Sequence, residues 1–226
     1  KNIIPILLGN SLLQISLIVD RSFGTHLEEG STAALAFGSN LFITITSIFI
    51  VAMSTVVFPR LSQYCLNQQY AEVRSLLSSV FQVLLFILLP YLLLVTFFST
   101  DIIALVYERG AFNQKSTYIT SLSFLLYSYA VIGYACQEIF NRVYYALKKY
   151  HIPMWTSLFC IVLHIILNSL FYRRSGIIGL SLSTTFCLLI YALILFLLLR
   201  REIGAGILKN ICPFLIRLSL PLAGMA

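Results

Sequence analysis

VDRSFGTHLEEGSTAALAFGSNLFITITSIFIVAMSTVVFPRLS, residues 19–62, decides how the rest of the chain is read. It opens on a charged pair, Asp20 and Arg21, at the end of an apolar run. A short acidic loop follows, then a long apolar helix and a Pro59–Arg60 exit. Gly30, Ala34 and Gly38 recur every four residues on that helix, a spacing that lets a second helix come close. The same unit of apolar helix, short polar loop and apolar helix recurs along the chain. Function therefore turns on the few polar groups inside the helices.

Of the 226 residues, 59% are hydrophobic and 10% are charged, where a soluble domain carries roughly 25% charged residues. Such a chain cannot cover itself with polar surface, so lipid is its natural solvent. A spanning helix takes about 20 mostly apolar residues. Six runs of that kind are expected as helices, at about 3–23, 31–58, 76–98, 118–147, 153–172 and 177–199. The expected fold class is an all-α integral membrane protein with six to seven transmembrane helices. Strands are not expected, because the Val/Ile/Thr-rich segments are long and lack period-two alternation. Ser31 is expected to cap the second helix and Pro59 to stop it. Residues 59–75 are expected as an amphipathic cytoplasmic connector, and Pro90 should kink the third helix. Residues 201–226 read as a basic loop and the start of an additional transmembrane helix near 211. The first residue is Lys1, and the chain reads as a piece of a longer membrane protein.

The formal net charge of +7 does not point to nucleic acid, because the basic residues are scattered singly and in pairs with no basic face. With Lys1 in the cytoplasm, the inner gaps hold Lys1, Arg60, Arg74, Lys148, Lys149, Arg200, Arg201 and Lys209. The outer gaps hold Arg21, Arg109, Lys115, Arg173 and Arg174. Eight against five favours a cytoplasmic Lys1 end. The five cysteines form no CxxC pair and read as small hydrophobes. No catalytic triad, HExxH or phosphate-binding loop is present, so an enzyme is not expected.

Ionisable side chains within a bilayer cost about 2.5–3.5 kcal/mol each on insertion scales. Asp20 reads either as an interfacial pair with Arg21 or as a cation ligand facing the bundle. Glu138 and Arg142 are four apart with the acid first, the favoured order for a helical ion pair. Gln137 and Asn141 beside them suggest a polar stripe facing a water-filled cavity. His164 and Asn168 are again four apart, and Ser181, Ser183, Thr184 and Thr185 follow on the next helix. Oxygen-rich positions on adjacent helices suit a hard cation such as sodium, or they bond helix to helix.

In order, VDRSF (19–23), VAMSTVVFPRLS (51–62), ERGAF (108–112) with Ser116 and Thr117, RVYYAL (142–147), Pro153, LHIILN (163–168) and GLSLSTT (179–185) resemble the MurJ/MviN family. These are the lipid II flippases of bacterial peptidoglycan synthesis, of the MOP superfamily and with a MATE-like fold. The resemblance covers nearly the whole chain and implies its C-terminal half. Residues 1–200 would be the second six-helix lobe beside a central cavity. Members carry an undecaprenyl-pyrophosphate-linked precursor outward by alternating access, with lobes moving about a midplane site. The resemblance thus implies an ion- or potential-coupled lipid II flippase lobe in the bacterial cytoplasmic (inner) membrane. Its partners would be that lipid-linked substrate, membrane lipid and the N-terminal lobe of the same protein.

No cofactor is implied beyond a sodium ion. Matched residue by residue, the family's cation site falls on Asp20, His164, Asn168, the Leu180 carbonyl and Thr184, with sodium at Asp20, Asn168 and Thr184. His164 and Asn168 depart from the family's asparagine and acid, so the site would be weaker for sodium or would take a proton instead. Asn40 stands where the family places an arginine facing the pyrophosphate. A neutral amide holds diphosphate less strongly than a guanidinium fork. Asn40, Glu138 and Arg142 are the candidate cavity or substrate residues. The alternatives are a polysaccharide or drug exporter of the same superfamily, or an inactive membrane scaffold.

Overall fold

A chain in lipid must satisfy its backbone polar groups internally, which leaves helices or a closed barrel. The computed structural model describes residues 3–110 and 112–204, and these take the helical solution. The helices are α1 (Ile3–Asn10), α2 (Leu12–Gly24), α3 (Ser31–Leu66), α4 (Tyr70–Tyr107), α5 (Gln114–Tyr129), α6 (Val131–Ala146) and α7 (His151–Ile203). No strand occurs among the described residues.

The long α7 is not one rod. Gly176 sits within it at φ 53 and ψ −131. His164 Nε2 lies 3.0 Å from Thr184 Oγ1, twenty residues away. A straight helix would hold those residues about 30 Å apart. The chain therefore doubles back at Gly176, and residues 151–175 and 177–203 are two antiparallel arms. Helices α3 and α4 are each long and apolar enough to cross a bilayer, as are the bent pairs α1–α2 and α5–α6 taken together. With the two arms of α7, the described chain makes six passes.

Antiparallel passes sort the loops to two ends. At one end Arg74 donates to the Ile203 carbonyl and Lys149 pairs with Glu202, joining the starts of α4 and α7 to the end of α7. At the other, the Tyr172 ring packs on Phe23 and His26, and Phe37 packs on Tyr107 and Phe112. Leu12, Leu17, Phe42, Phe124, Tyr127 and Tyr191 lie in the core between the passes. Phe86, Phe97, Leu105, Trp155, Phe159 and Leu193 stay exposed on the outside, as lipid-facing side chains do.

Two passes are broken, and at both breaks a freed backbone carbonyl finds a side-chain partner distant in sequence. At Ala130 the backbone N–H turns to the Tyr127 carbonyl at 2.9 Å. The Leu126 carbonyl that it would have bonded accepts the Thr185 hydroxyl at 2.8 Å instead. Helices α5 and α6 meet there at 41°. At Ser11, α1 and α2 meet at 52°. The freed Gly9 carbonyl accepts Asn141 Nδ2 at 3.1 Å and the Tyr191 hydroxyl at 3.2 Å.

Several sequence expectations are corrected. The single helix expected at 118–147 is the broken pair α5–α6. Pro59 does not stop its helix: α3 runs through it to Leu66. Pro59 is exposed, so its ring costs one backbone bond without meeting a neighbouring helix. Residues 59–75 are therefore not a separate connector but the end of α3, a tight turn and the start of α4. The residue capping α3 is Gly30, at φ 90, and not Ser31. In α4 the non-helical residue is Phe98 rather than Pro90. The helix expected near 211 lies outside the described residues.

A Cβ at Gly176 would meet no atom within 4 Å, so any cost of adding one is conformational. Gly176→Ala is expected to destabilise the lobe by about 1–3 kcal/mol. A thermal unfolding midpoint in detergent that does not fall would contradict the sharp reversal there.

Candidate functional site

Asp20 lies in the last turns of α2 and is completely buried, with 0% of its surface exposed. A carboxylate so placed must be fully hydrogen-bonded. Its Oδ2 accepts the Tyr127 hydroxyl of α5 at 2.8 Å and the Thr184 hydroxyl from the second arm of α7. Its Oδ1 accepts Asn168 Nδ2 from the first arm at 2.7 Å, and His164 Nε2 stands 3.1 Å from the same oxygen. Thr184 donates to Asp20, which leaves its lone pair for an N–H on His164 Nε2 at 3.0 Å. One side chain thus joins α2 to α5 and to both arms of α7.

Of the residues singled out from sequence, Asp20, His164, Asn168 and Thr184 are brought together. Leu180 lies one turn before Thr184 and is fully buried, but the hydrogen bonds at Asp20 do not reach it. Tyr127 was not singled out. The available signal was a tyrosine in an apolar span, whose O–H needs a buried partner. The reading of Asp20 as an interfacial pair with Arg21 is not what the fold uses. The carboxylate points into the lobe, while Arg21 donates to Ser39 Oγ at 3.3 Å and Asn40 Oδ1 at 3.1 Å on α3.

The donor set suits a sodium ion in part. The oxygens of Asp20, Thr184 and Tyr127 suit a hard cation. Asn168 Oδ1 is buried with no hydrogen-bond partner, and an acceptor without a donor is where a cation fits. The ring nitrogen of His164 suits sodium less well. Among the described residues no cluster of three or more His, Cys, Asp or Glu could hold a transition metal.

The expected polar stripe on α6 divides in two. Glu138 and Arg142 pair at 3.9 Å, with side chains 16% and 32% exposed. Arg142 also lies over the Phe58 ring of α3 at 5.6 Å. Gln137 and Asn141 face the other way and are buried. Asn141 donates to Asn10 Oδ1 at 2.9 Å and accepts the Tyr191 hydroxyl at 2.7 Å, so it is spent on the α1–α2 break and not on a cavity. One residue along a helix turns a side chain by about 100°, which separates 137 and 141 from 138 and 142. Of the Gly30, Ala34 and Gly38 row, Gly38 makes the close approach: a Cβ there would stand 2.9 Å from the Phe124 nitrogen of α5.

A six-pass lobe with a buried, helix-joining carboxylate has known relatives. A family model described as "Lipid II flippase MurJ" matches residues 1–226. This chain belongs to the MurJ family. A curated relative from Buchnera aphidicola subsp. Acyrthosiphon pisum, a probable lipid II flippase MurJ, is 30% identical over 187 residues, 82% of this chain and 37% of that protein. One from Helicobacter pylori (strain 26695), with the same description, is 28% identical over 224 residues, 97% of this chain and 48% of that protein. A solved structure of lipid II flippase MurJ in an inward closed conformation superposes with TM-score 0.74 at 28% identity, covering 93% of this chain and 44% of that one. The fold also matches a MOP superfamily transporter from Pyrococcus furiosus, at TM-score 0.62 and 15% identity, over 98% of this chain and 52% of that one. The chain spans less than half the length of the MurJ proteins named here.

The Glu138–Arg142 pair yields a double-mutant test. Glu138→Gln leaves a half-buried cation without its partner and is expected to cost about 1–2 kcal/mol, discounted for exposure. Changing both residues to Gln should cost less than the single change. Losses in thermal stability that simply add would show that the two do not act as a pair.

Proposed function

We propose that this chain is the C-terminal lobe of a lipid II flippase. In this reading the whole protein carries an undecaprenyl-pyrophosphate-linked peptidoglycan precursor across the bacterial cytoplasmic membrane by alternating access. Movement of a lipid headgroup breaks no covalent bond, so the activity is transport and not catalysis. The family membership and the description of its members supply the substrate class. The remainder of the protein, about as long again, would complete the cavity, and the Lys1 end would face the cytoplasm.

The observation that carries the coupling half of the proposal is the placement of Asp20. A charge buried in the lobe is held only while Tyr127, Asn168, Thr184 and His164 surround it. Whatever changes the charge balance there changes how α2 sits against α5 and α7. A symmetric lobe motion needs such a point, where a small chemical event is felt by several passes at once. Sodium, where it binds, supplies a positive charge, and Asp20, Asn168 Oδ1 and Thr184 are the residues that would hold it.

Asp20→Asn in the full-length protein tests both halves. The amide would set N–H against the donors that now converge on the carboxylate, and each buried unmatched group costs about 1–3 kcal/mol. The variant is expected to express, to lose any sodium-dependent rise in thermal midpoint, and to fail to sustain growth of a flippase-depleted bacterium. An unchanged sodium response would remove Asp20 from the coupling site. Growth failure of the unaltered protein despite good expression would remove lipid II as its substrate.

A further inference from the structure

Helices α3 and α5 start at the same end of the lobe and touch at Gly38, where an added Cβ would stand 2.9 Å from the Phe124 nitrogen. Counting one turn back along each helix from that contact sets Ala34 against Thr120, and a second turn sets Gly30 against Ser116. All four of these residues line a cavity of about 270 Å³ between the two helix starts. The row of small residues on α3 thus closes the helices at Gly38 and leaves a fork between them above it. Glu29, Phe112, Asn113 and Lys115 stand on the same wall.

Thr120 is the exceptional side chain on that wall. It is 1% exposed, and its hydroxyl has no hydrogen-bond partner. Other helical threonines of the lobe send the hydroxyl to the carbonyl four residues back: Thr46 to Phe42, Thr96 to Leu92 and Thr156 to Ile152. Thr120 makes no such bond. A buried hydroxyl left unbonded costs about 1–3 kcal/mol. An acceptor atom seated in the cavity would remove that cost.

The rest of the wall supplies donors and one acid. The first turn of a helix has N–H groups without intrahelical partners and carries the positive end of the helix dipole. At α3 no side chain caps that turn, because the capping residue is Gly30. At α5 Asn113 Oδ1 accepts the Ser116 N–H at 3.0 Å, which leaves the Asn113 amide N–H groups for a ligand. Lys115 adds a cation, paired with Glu28 only at 4.0 Å and with both side chains exposed. Glu29 offsets much of that positive charge, so the cavity suits a singly charged carboxylate better than a dianion, with an N–H group beside it for Glu29. Ala33, Phe37 and Ile119 give the cavity an apolar side. We propose that this cavity binds the C-terminal carboxylate of a short peptide. Thr120, Lys115 and the two helix starts hold the carboxylate, Glu29 accepts a peptide N–H, and the apolar side takes a small side chain. The assignment rests on the cavity's own groups and not on the flippase reading, and either can fail without the other.

The test uses full-length protein in nanodiscs of neutral phosphatidylcholine. The probe is N-acetyl-alanyl-alanine, the control is its C-terminal amide, and binding is read from the rise in thermal midpoint with probe concentration. The amide is expected to bind about tenfold more weakly than the free acid, because it lacks the charge that Lys115 and the helix starts meet. Thr120→Val is expected to weaken binding of the free acid about tenfold, while Thr120→Ser, which keeps the hydroxyl, should bind as the unaltered protein does. Without probe, Thr120→Val should leave the midpoint unchanged or raise it, because the hydroxyl it removes has no partner. A fall there would give the hydroxyl a partner inside the lobe and overturn the assignment. Equal binding of acid and amide, or no shift with either, would overturn it as well. A further arm replaces the peptide with inorganic phosphate at matched ionic strength. A Thr120-dependent shift with phosphate and none with the peptide would overturn the peptide and leave a simple oxyanion in its place.

Discussion

The rest of the lobe depends on one ionised or ionisable side chain being kept out of water. Asp20 could not stay buried among these passes unless each of its oxygens were bonded, and the bonds come from α5 and from both arms of α7. Tyr127 fixes the height of α5, while Asn168 and Thr184 fix the two arms of α7 against each other. A core of Leu, Ile and Phe would hold the same helices together with greater tolerance of sliding. The carboxylate replaces tolerance with a single arrangement, at the cost of a group that must never lose its partners.

A related economy governs the broken helices. A transmembrane helix can bend only where its freed backbone groups find new partners. At Ser11 they find Asn141 and Tyr191, and at Ala130 the Thr185 hydroxyl. The partners come mostly from α6 and α7, so the passes that bend are held by their neighbours. These buried polar residues thus serve the breaks and not a cavity, while others such as Thr46, Ser128 and Ser183 donate to carbonyls of their own helix.

The helical class was legible in the sequence because long apolar runs admit few other solutions. The ends of the helices were less so. Pro59 read as a stop, yet a proline on an exposed face only removes one hydrogen bond. The Ala130 break has no Gly or Pro to announce it, since its cause is Thr185, more than fifty residues away. The Ser11 break was closer to view: Gly9, Asn10 and Ser11 interrupt an otherwise apolar segment. At the site, Asp20, His164, Asn168 and Thr184 could be picked out as polar exceptions. Tyr127 could not, because thirteen tyrosines share its ambiguous character. The separate fates of Gln137 and Glu138 depend on which way α6 is rotated, and that follows from packing alone.

Gly38 has a role that its small size conceals. Its missing Cβ lets the α3 backbone rest almost directly on Phe124, and one turn further along Phe42 and Tyr127 lie ring to ring at 6.4 Å. The position of the Tyr127 hydroxyl is therefore gauged by a close contact of the Gly38 backbone with the backbone and Ser123 Cβ of α5. The spacing of α3 and α5 thus bears on where the Tyr127 hydroxyl meets the Asp20 carboxylate. The distance at which α5 holds its hydroxyl over the buried charge is thus set, in part, by the absence of one methyl group.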